Sequence, residues 1–181
     1  MYRIHYDHFK EHYGSKLTLM YTDTDSFIYN IQTDDLCRDF SLHFKSIMDF
    51  CDYPENHILY NLDNRKRIGF LKDEANGVHI REFIGLKPKM YFILLEEKII
   101  KRAKGVSKSV LSNEIFYKNY YDAVMNQEFC MHSARRLQSM NHKIFALEER
   151  KLSLSPLDYK RYIMDDGIST LEHGHTKIKN K

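Results

Sequence analysis

Asp23 and Asp25 are the residues whose type and spacing point most directly to chemistry. Two carboxylates one residue apart offer hard oxygen ligands, and Mg2+ is commonly held by one or two carboxylates together with substrate phosphates. The pair lies in Tyr21-Thr22-Asp23-Thr24-Asp25-Ser26, between two apolar runs. Leu17, Leu19 and Tyr21 alternate through residues 16–22, and Phe27, Tyr29 and Ile31 alternate through residues 25–31. A period of two on both sides of a short acidic turn predicts a β-hairpin, with Leu17, Leu19 and Tyr21 on one face and the carboxylates at the tip. Such a tip is a rigid platform for metal ligands. Asp-Thr-Asp also favours a turn in its own right, because Asp side chains bond neighbouring backbone. The tripeptide alone fits both readings.

A second concentration of chemistry is electrostatic. Between residues 87 and 108 there are seven basic residues, Lys87, Lys89, Lys98, Lys101, Arg102, Lys104 and Lys108, against two acidic ones, Glu96 and Glu97. This segment carries 7 − 2 = +5 while the chain carries +3, so the remainder is −2 and the near-neutral total conceals a positive patch. Positive charge interleaved with Tyr91 on a hairpin fits a phosphate backbone. A solvated hairpin face is the alternative for any charge run.

The surrounding elements must position these residues. Tyr2, Tyr6, Phe9 and Tyr13 recur at helical spacing, which predicts an N-terminal helix with that stripe inward and Gly14 as its stop. Thr33-Asp34-Asp35 supplies an N-cap and acidic first turn for a helix marked by Leu36, Phe40, Phe44, Ile47 and Met48, ending near Tyr53-Pro54. Residues 55–65 read as loop. Two strands, 67–72 and 78–84, flank the turn dipeptide Asn76-Gly77. After Leu86-Lys87-Pro88, residues 90–95 and 98–103 predict a hairpin around Glu96-Glu97. Beyond Gly105 the pattern turns helical, with Ser112 as cap for a segment carrying Ile115, Phe116, Tyr120, Ala123 and Val124. Residues 141–149 are mixed, 152–157 loop-like and 168–181 a frayed basic tail. The order suggests an α+β protein with antiparallel hairpins and a mostly helical C-terminal part.

Composition bounds the rest. At 181 residues and 21.7 kDa, with 43% hydrophobic and 29% charged residues, the chain is globular in type and short for a multi-step enzyme. No apolar run approaches the ~20 residues of a membrane helix, and no membrane partner is expected. No apolar stretch follows the early charge at Met1-Tyr2-Arg3, so no signal peptide is expected. Cys37, Cys51 and Cys130 are far apart and form no CxxC pair, which suits small buried hydrophobes in a reducing, intracellular compartment. His5, His8 and His12 share a helix side and read as a solvated stripe or a transition-metal site, while His173-Gly174-His175 reads as tail surface. Asp34-Asp35 reads as a helix start and Asp165-Asp166-Gly167 as turn chemistry.

In its six-residue context, Tyr-x-Asp-Thr-Asp-Ser resembles motif C of family B DNA polymerases. The residue after Tyr is usually Gly or Cys there and is Thr22 here, a departure that leaves the carboxylates intact. Lys89-Met90-Tyr91 looks like the Lys-x-Tyr motif of the protein-primed branch, and Lys104-Gly105 like the Lys-containing turn that trails it. Phe70-Leu71-Lys72-Asp73-Glu74, Lys104-Gly105-Val106-Ser107-Lys108, Ser153-Leu154-Ser155-Pro156, Lys160-Arg161-Tyr162-Ile163 and Asp166-Gly167 resemble the C-terminal region of virus-like polymerases carried by large self-synthesising DNA transposons.

The resemblance implies a partial polymerase palm over residues 1–109 and a thumb-like C-terminal region over 110–181. It implies Asp25 as a catalytic metal ligand, Asp23 as its supporting carboxylate, and Tyr21, Thr24 and Ser26 as residues shaping the motif. Lys89 and Tyr91 would hold the primer terminus, and Lys101, Arg102 and Lys104 the duplex phosphates. Primer–template DNA and a deoxynucleotide are the implied partners, with a terminal protein as a further candidate. Mg2+, or Mn2+ in its place, is the implied cofactor, held only with a carboxylate from motif A. Motifs A and B precede motif C in this family, and the 22 residues before Asp23 hold neither. The expectation is therefore a C-terminal polymerase portion that is inactive by itself. A non-catalytic DNA-binding remnant of a mobile element is the alternative, and an interaction domain with relic motifs a third. An integrated element would suit the nucleus.

Overall fold

The computed structural model describes residues 1–157, 161–167, 169–172 and 174–178. It is an α+β protein of short helices and small, mainly antiparallel sheets. Two compact units are present, Met1–Pro88 with Ile93–Ile100, and Lys89–Phe92 with Lys101–Lys181. Among the described residues no helix is long and apolar enough to cross a membrane.

The first unit opens with a π-helical stretch, Ile4–Lys10, that continues into α1 (Glu11–Tyr13) and stops at Gly14, whose φ is +56°. The wider π turn changes which residues face inward. Phe9 and Tyr13 are buried, but Tyr2 and Tyr6 are exposed, and Ile4 packs against the core instead. Strands β1 (Leu17–Asp23) and β2 (Ser26–Ile31) form the expected hairpin. Its ladder pairs Leu19 with Tyr29 and then Tyr21 with Ile28. Met20 is thus the extra residue of a β-bulge, and the bulge turns Tyr21 away from the face of Leu17 and Leu19. Tyr29, on the same face as Leu17 and Leu19, docks on Phe9, with ring centres 4.9 Å apart.

Asp35 caps α2 (Leu36–Asp39), accepting the Arg38 N–H at 2.9 Å. A π-helical stretch, Phe40–Phe44, follows. This helix ends well before Tyr53, because Met48 and Asp49 are drawn into β3, which pairs in parallel with β4 (Leu71–Lys72). Phe9, Tyr13, Phe40, Phe44, Phe50 and Tyr53 form the aromatic core of this unit. Phe44 stacks on Phe9 at 4.6 Å and on Tyr13 at 5.7 Å.

The hairpin expected around Asn76-Gly77 does not form, although the turn does. Asn76 and Gly77 both have positive φ, +53° and +85°. Asp73 organises the segment instead. Its carboxylate accepts the Tyr53 hydroxyl at 2.7 Å and the N–H groups of Ala75 and Gly77 at 2.9 and 2.8 Å. Gly77 lies so close to Tyr53 that a Cβ would sit 2.9 Å from its ring. Residues 68 and 69 form a turn and 78–81 run as irregular chain, and the next strand is β5 (Glu82–Lys87).

Strands β5, β6 (Met90–Leu94) and β7 (Ile99–Ala103) make a three-stranded sheet in that order. The expected turn around Glu96-Glu97 is present, closed by the Leu95 N–H to the Lys98 carbonyl at 2.9 Å.

In the second unit, Ser107 rather than Ser112 is the first cap. It accepts the Val110 N–H at 3.3 Å and starts α3 (Lys108–Asn113), which contains Ser112. Helix α4 (Tyr117–Met125) starts at Phe116, whose N–H is taken by the Asn119 side chain at 2.8 Å. It buries Tyr120 and Ala123.

The C-terminal part is not mostly helical. Residues expected to be mixed or loop form a long ribbon, β8 (Cys130–Met140) and β9 (Lys143–Leu154). Asn141 and His142, at φ +50° and +61°, make its turn. Past it, β10 (Arg161–Ile163) pairs with β11 (Thr170–Glu172), where a frayed tail was expected. Asp165, Asp166 and Gly167 form the expected turn, with the Asp166 carboxylate accepting the Ser169 N–H at 2.8 Å. His173 lies outside the described residues. Cys37, Cys51 and Cys130 are free thiols and half-buried rather than buried.

Candidate functional site

The β1–β2 hairpin ends in a tight acidic tip. Asp23 pairs with Ser26 in the ladder, leaving Thr24 and Asp25 as the turn. Thr24 sits at φ +50°, and the Asp25 N–H donates to the Asp23 carbonyl at 2.5 Å. Three side chains then converge on Asp23. Thr24 donates to its carboxylate at 3.2 Å, Tyr21 reaches it at 3.5 Å, and the Ser26 hydroxyl donates to its carbonyl at 3.1 Å. The bulge at Met20 makes this possible, because it brings Tyr21 to the face that Asp23 and Ile28 share. Asp23 is half-buried and oriented, while Asp25 is exposed at the tip.

A pair of hard carboxylates in water-accessible positions fits a hard divalent cation such as Mg2+ or Mn2+ as part of a larger donor set. Among the described residues no group of three or more His, Cys, Asp or Glu side chains is gathered for a metal.

The basic residues are positioned by two turns of the second unit. Lys89 is exposed, at φ +61°, and its carbonyl accepts the Lys104 N–H at 3.0 Å. Lys104 and Gly105 occupy the middle of a turn closed by the Val106 N–H to the Ala103 carbonyl at 3.1 Å. Gly105 has φ +88°, the left-handed setting that the third position of a type II turn requires. One backbone bond therefore holds these two basic residues close along the chain fold. Arg102 is exposed and half-buried Tyr91 follows Met90.

Lys101 has a different place. Strand alternation turns it away from Arg102. Its ammonium donates to the Ile115 carbonyl at 2.6 Å and the Ser112 carbonyl at 3.4 Å, and lies 5.4 Å from the centre of the Phe116 ring. Burial pushes its pKa down. Lys101 thus ties β7 to the end of α3. Nothing in a charge count distinguishes such a lysine from one offered to a ligand.

Two further polar clusters look chemical and are not nucleophilic. Cys37 Sγ lies 4.0 Å from His57 Nε2. However, the Leu59 N–H donates to His57 Nδ1 at 3.2 Å, which leaves the neutral ring's proton on Nε2. His57 thus cannot accept the thiol proton, and burial with the Asp35 and Asp73 carboxylates pushes the Cys37 thiol up. His132 Nδ1 meets Ser153 Oγ at 2.6 Å, but both residues are buried.

In comparison with known proteins, the chain matches no family model, no curated protein and no solved structure.

Proposed function

We propose that this chain is the motif C and primer-grip portion of a family B DNA polymerase of the protein-primed, virus-like type found in large self-synthesising transposons. The observation that carries the reading is the acidic tip. Tyr-x-Asp-Thr-Asp-Ser lies on a two-stranded hairpin with one carboxylate braced and the next exposed. In this reading residues 1–109 are part of a polymerase palm, and the C-terminal region takes the thumb's position in the sequence.

Asp25 supplies the exposed metal-ligand oxygens. Asp23 is the supporting carboxylate, and Tyr21, Thr24 and Ser26 hold it. Mg2+ or Mn2+, when bound with a motif A carboxylate from elsewhere, neutralises charge on the transferring phosphoryl group. Lys89 and Tyr91 grip the primer terminus, and Lys104 and Arg102 the phosphates behind it. Lys101 supports that surface through the Ser112 and Ile115 carbonyls.

Binding of a primer–template duplex tests this. Fluorescence anisotropy of residues 1–181 at low salt is expected to show binding whose log K falls with log salt at a slope of about −3, for three phosphate contacts. Lys89→Ala is expected to weaken binding and flatten the slope by about 1. Lys101→Ala is expected to lower the melting temperature and leave the slope unchanged. Unaltered affinity and slope in Lys89→Ala sink the assignment.

A further inference from the structure

Two histidines from different helical segments meet on the surface of the first unit. His12 lies in α1, and His43 in the π-helical stretch that follows α2. Their ring centres are 4.3 Å apart, with planes inclined at 37°. Both side chains are exposed. Their backbones are held from beneath, because Tyr13 and Phe44, the next residues along each segment, are buried and stacked on each other at 5.7 Å. His12 also stands edge-on to Tyr13 at 4.6 Å and to Phe44 at 5.4 Å. The spacing of the two imidazoles is thus set by the aromatic core.

For two rings that each turn one nitrogen to a shared ion, the separation sets the angle between them. A first-row metal about 2.1 Å from one nitrogen of each ring would be about 3.2 Å from each ring centre. Centres 4.3 Å apart then subtend roughly 85° at the metal. That is close to the right angle between neighbouring ligands in tetragonal sites, which copper(II) and nickel(II) prefer. A tetrahedral ion would need the centres about 5.2 Å apart. His12 also lines an open cleft of about 400 Å3, together with Glu11, Lys16 and Asp39, so water reaches it freely.

We propose that His12 and His43 form a two-imidazole clamp for a tetragonal divalent cation of the copper(II) or nickel(II) class, with water completing the coordination. The clamp is independent of the acidic hairpin and of the polymerase reading. It joins α1 to the segment after α2 across the solvent side of the aromatic core. Binding there stabilises the folded chain, because the unfolded chain does not hold the two rings together.

The test uses the full chain. Substoichiometric Cu2+ is added while the imidazole carbon–proton resonances are followed by NMR. The His12 and His43 signals are expected to broaden first. Nickel titration by calorimetry is expected to give one tightest site that weakens at least tenfold in His12→Ala and in His43→Ala, and is unchanged in His79→Ala. Nickel is expected to raise the melting temperature of the wild-type chain by several degrees and of neither clamp variant. Broadening that begins at other histidines overturns the proposal, and so does a tightest site that survives both substitutions. The NMR result needs no variant, so misfolding of a mutant cannot obscure it.

Discussion

At the scale of single residues, Asp49 shows how a carboxylate can be structural and still govern a pH response. It is 6% exposed and accepts the N–H groups of Cys51 at 2.9 Å and Lys66 at 3.1 Å. Burial pushes its pKa up, but those hydrogen bonds and the Lys72 charge outweigh burial and hold it below the usual carboxylate range. A folded-state pKa below the unfolded one gives stability that is complete above the unfolded value, about 3.9. That stability is lost as pH falls through the folded value. Asp49→Asn should therefore cost about 1–3 kcal/mol at neutral pH, since an amide oxygen replaces two acceptors. It should also flatten the loss of stability on acidification below about pH 4. Urea melts of both proteins from pH 7 to pH 2.5 check this, and parallel curves would remove Asp49 from the acid response.

The same scale marks where sequence reading stopped. Tyr21, Thr24 and Ser26 lie next to Asp23 in the chain, so their grouping was legible. Lys101 was legible only as a charge, because its partners, the Ser112 and Ile115 carbonyls, are backbone groups that no residue type announces. The His12–His43 approach depends on two segments packing through Tyr13 and Phe44, which no spacing within one helix encodes.

At the scale of elements, the legible parts were those with apolar runs that reach the core. The β1–β2 hairpin was expected because Phe27, Tyr29 and Ile31 alternate, and the turn at Glu96-Glu97 because two apolar runs bracket it. The bulge at Met20 escaped, since a single extra residue leaves no compositional trace. The β8–β9 ribbon escaped for a different reason. Leu137 and Ile144 are 76% and 75% exposed, and Arg135, Arg136, Glu148 and Glu149 occupy neighbouring positions of both strands, pairing across the ladder. Both faces of the ribbon meet water along much of its length, so alternation carries no signal there. Its turn is also weakly marked. Asn141 suits a positive φ, but His142 at +61° occupies a position that glycine fills at lower cost. His142→Gly should stabilise the ribbon by about 0.5–1 kcal/mol. Amide exchange read on β8 and β9 should then slow by roughly two- to fivefold. Exchange that is unchanged or faster would show that the turn is not what limits the ribbon.

At the scale of the whole molecule, charge and chemistry are unevenly distributed. The +5 of residues 87–108 against the −2 of the remainder predicts salt-sensitive association with a polyanion. The acidic tip predicts a metal role only in a larger set. Two-metal phosphoryl transfer clamps ions ~3.5–4 Å apart from more than one side. Asp23 and Asp25 sit on one turn, and no third His, Cys, Asp or Glu side chain is gathered with them for a metal among the described residues. Residues 1–181 should therefore bind primer–template DNA without extending it, in Mg2+ or Mn2+, at a level indistinguishable from Asp25→Asn. Templated synthesis abolished by Asp25→Asn would overturn the incompleteness and leave the polymerase reading standing. Loss of DNA binding together with absent synthesis would remove both the polymerase portion and the DNA-binding remnant. The two measurements thus separate a polymerase part that needs its other carboxylates from a fold that keeps the motifs without their use.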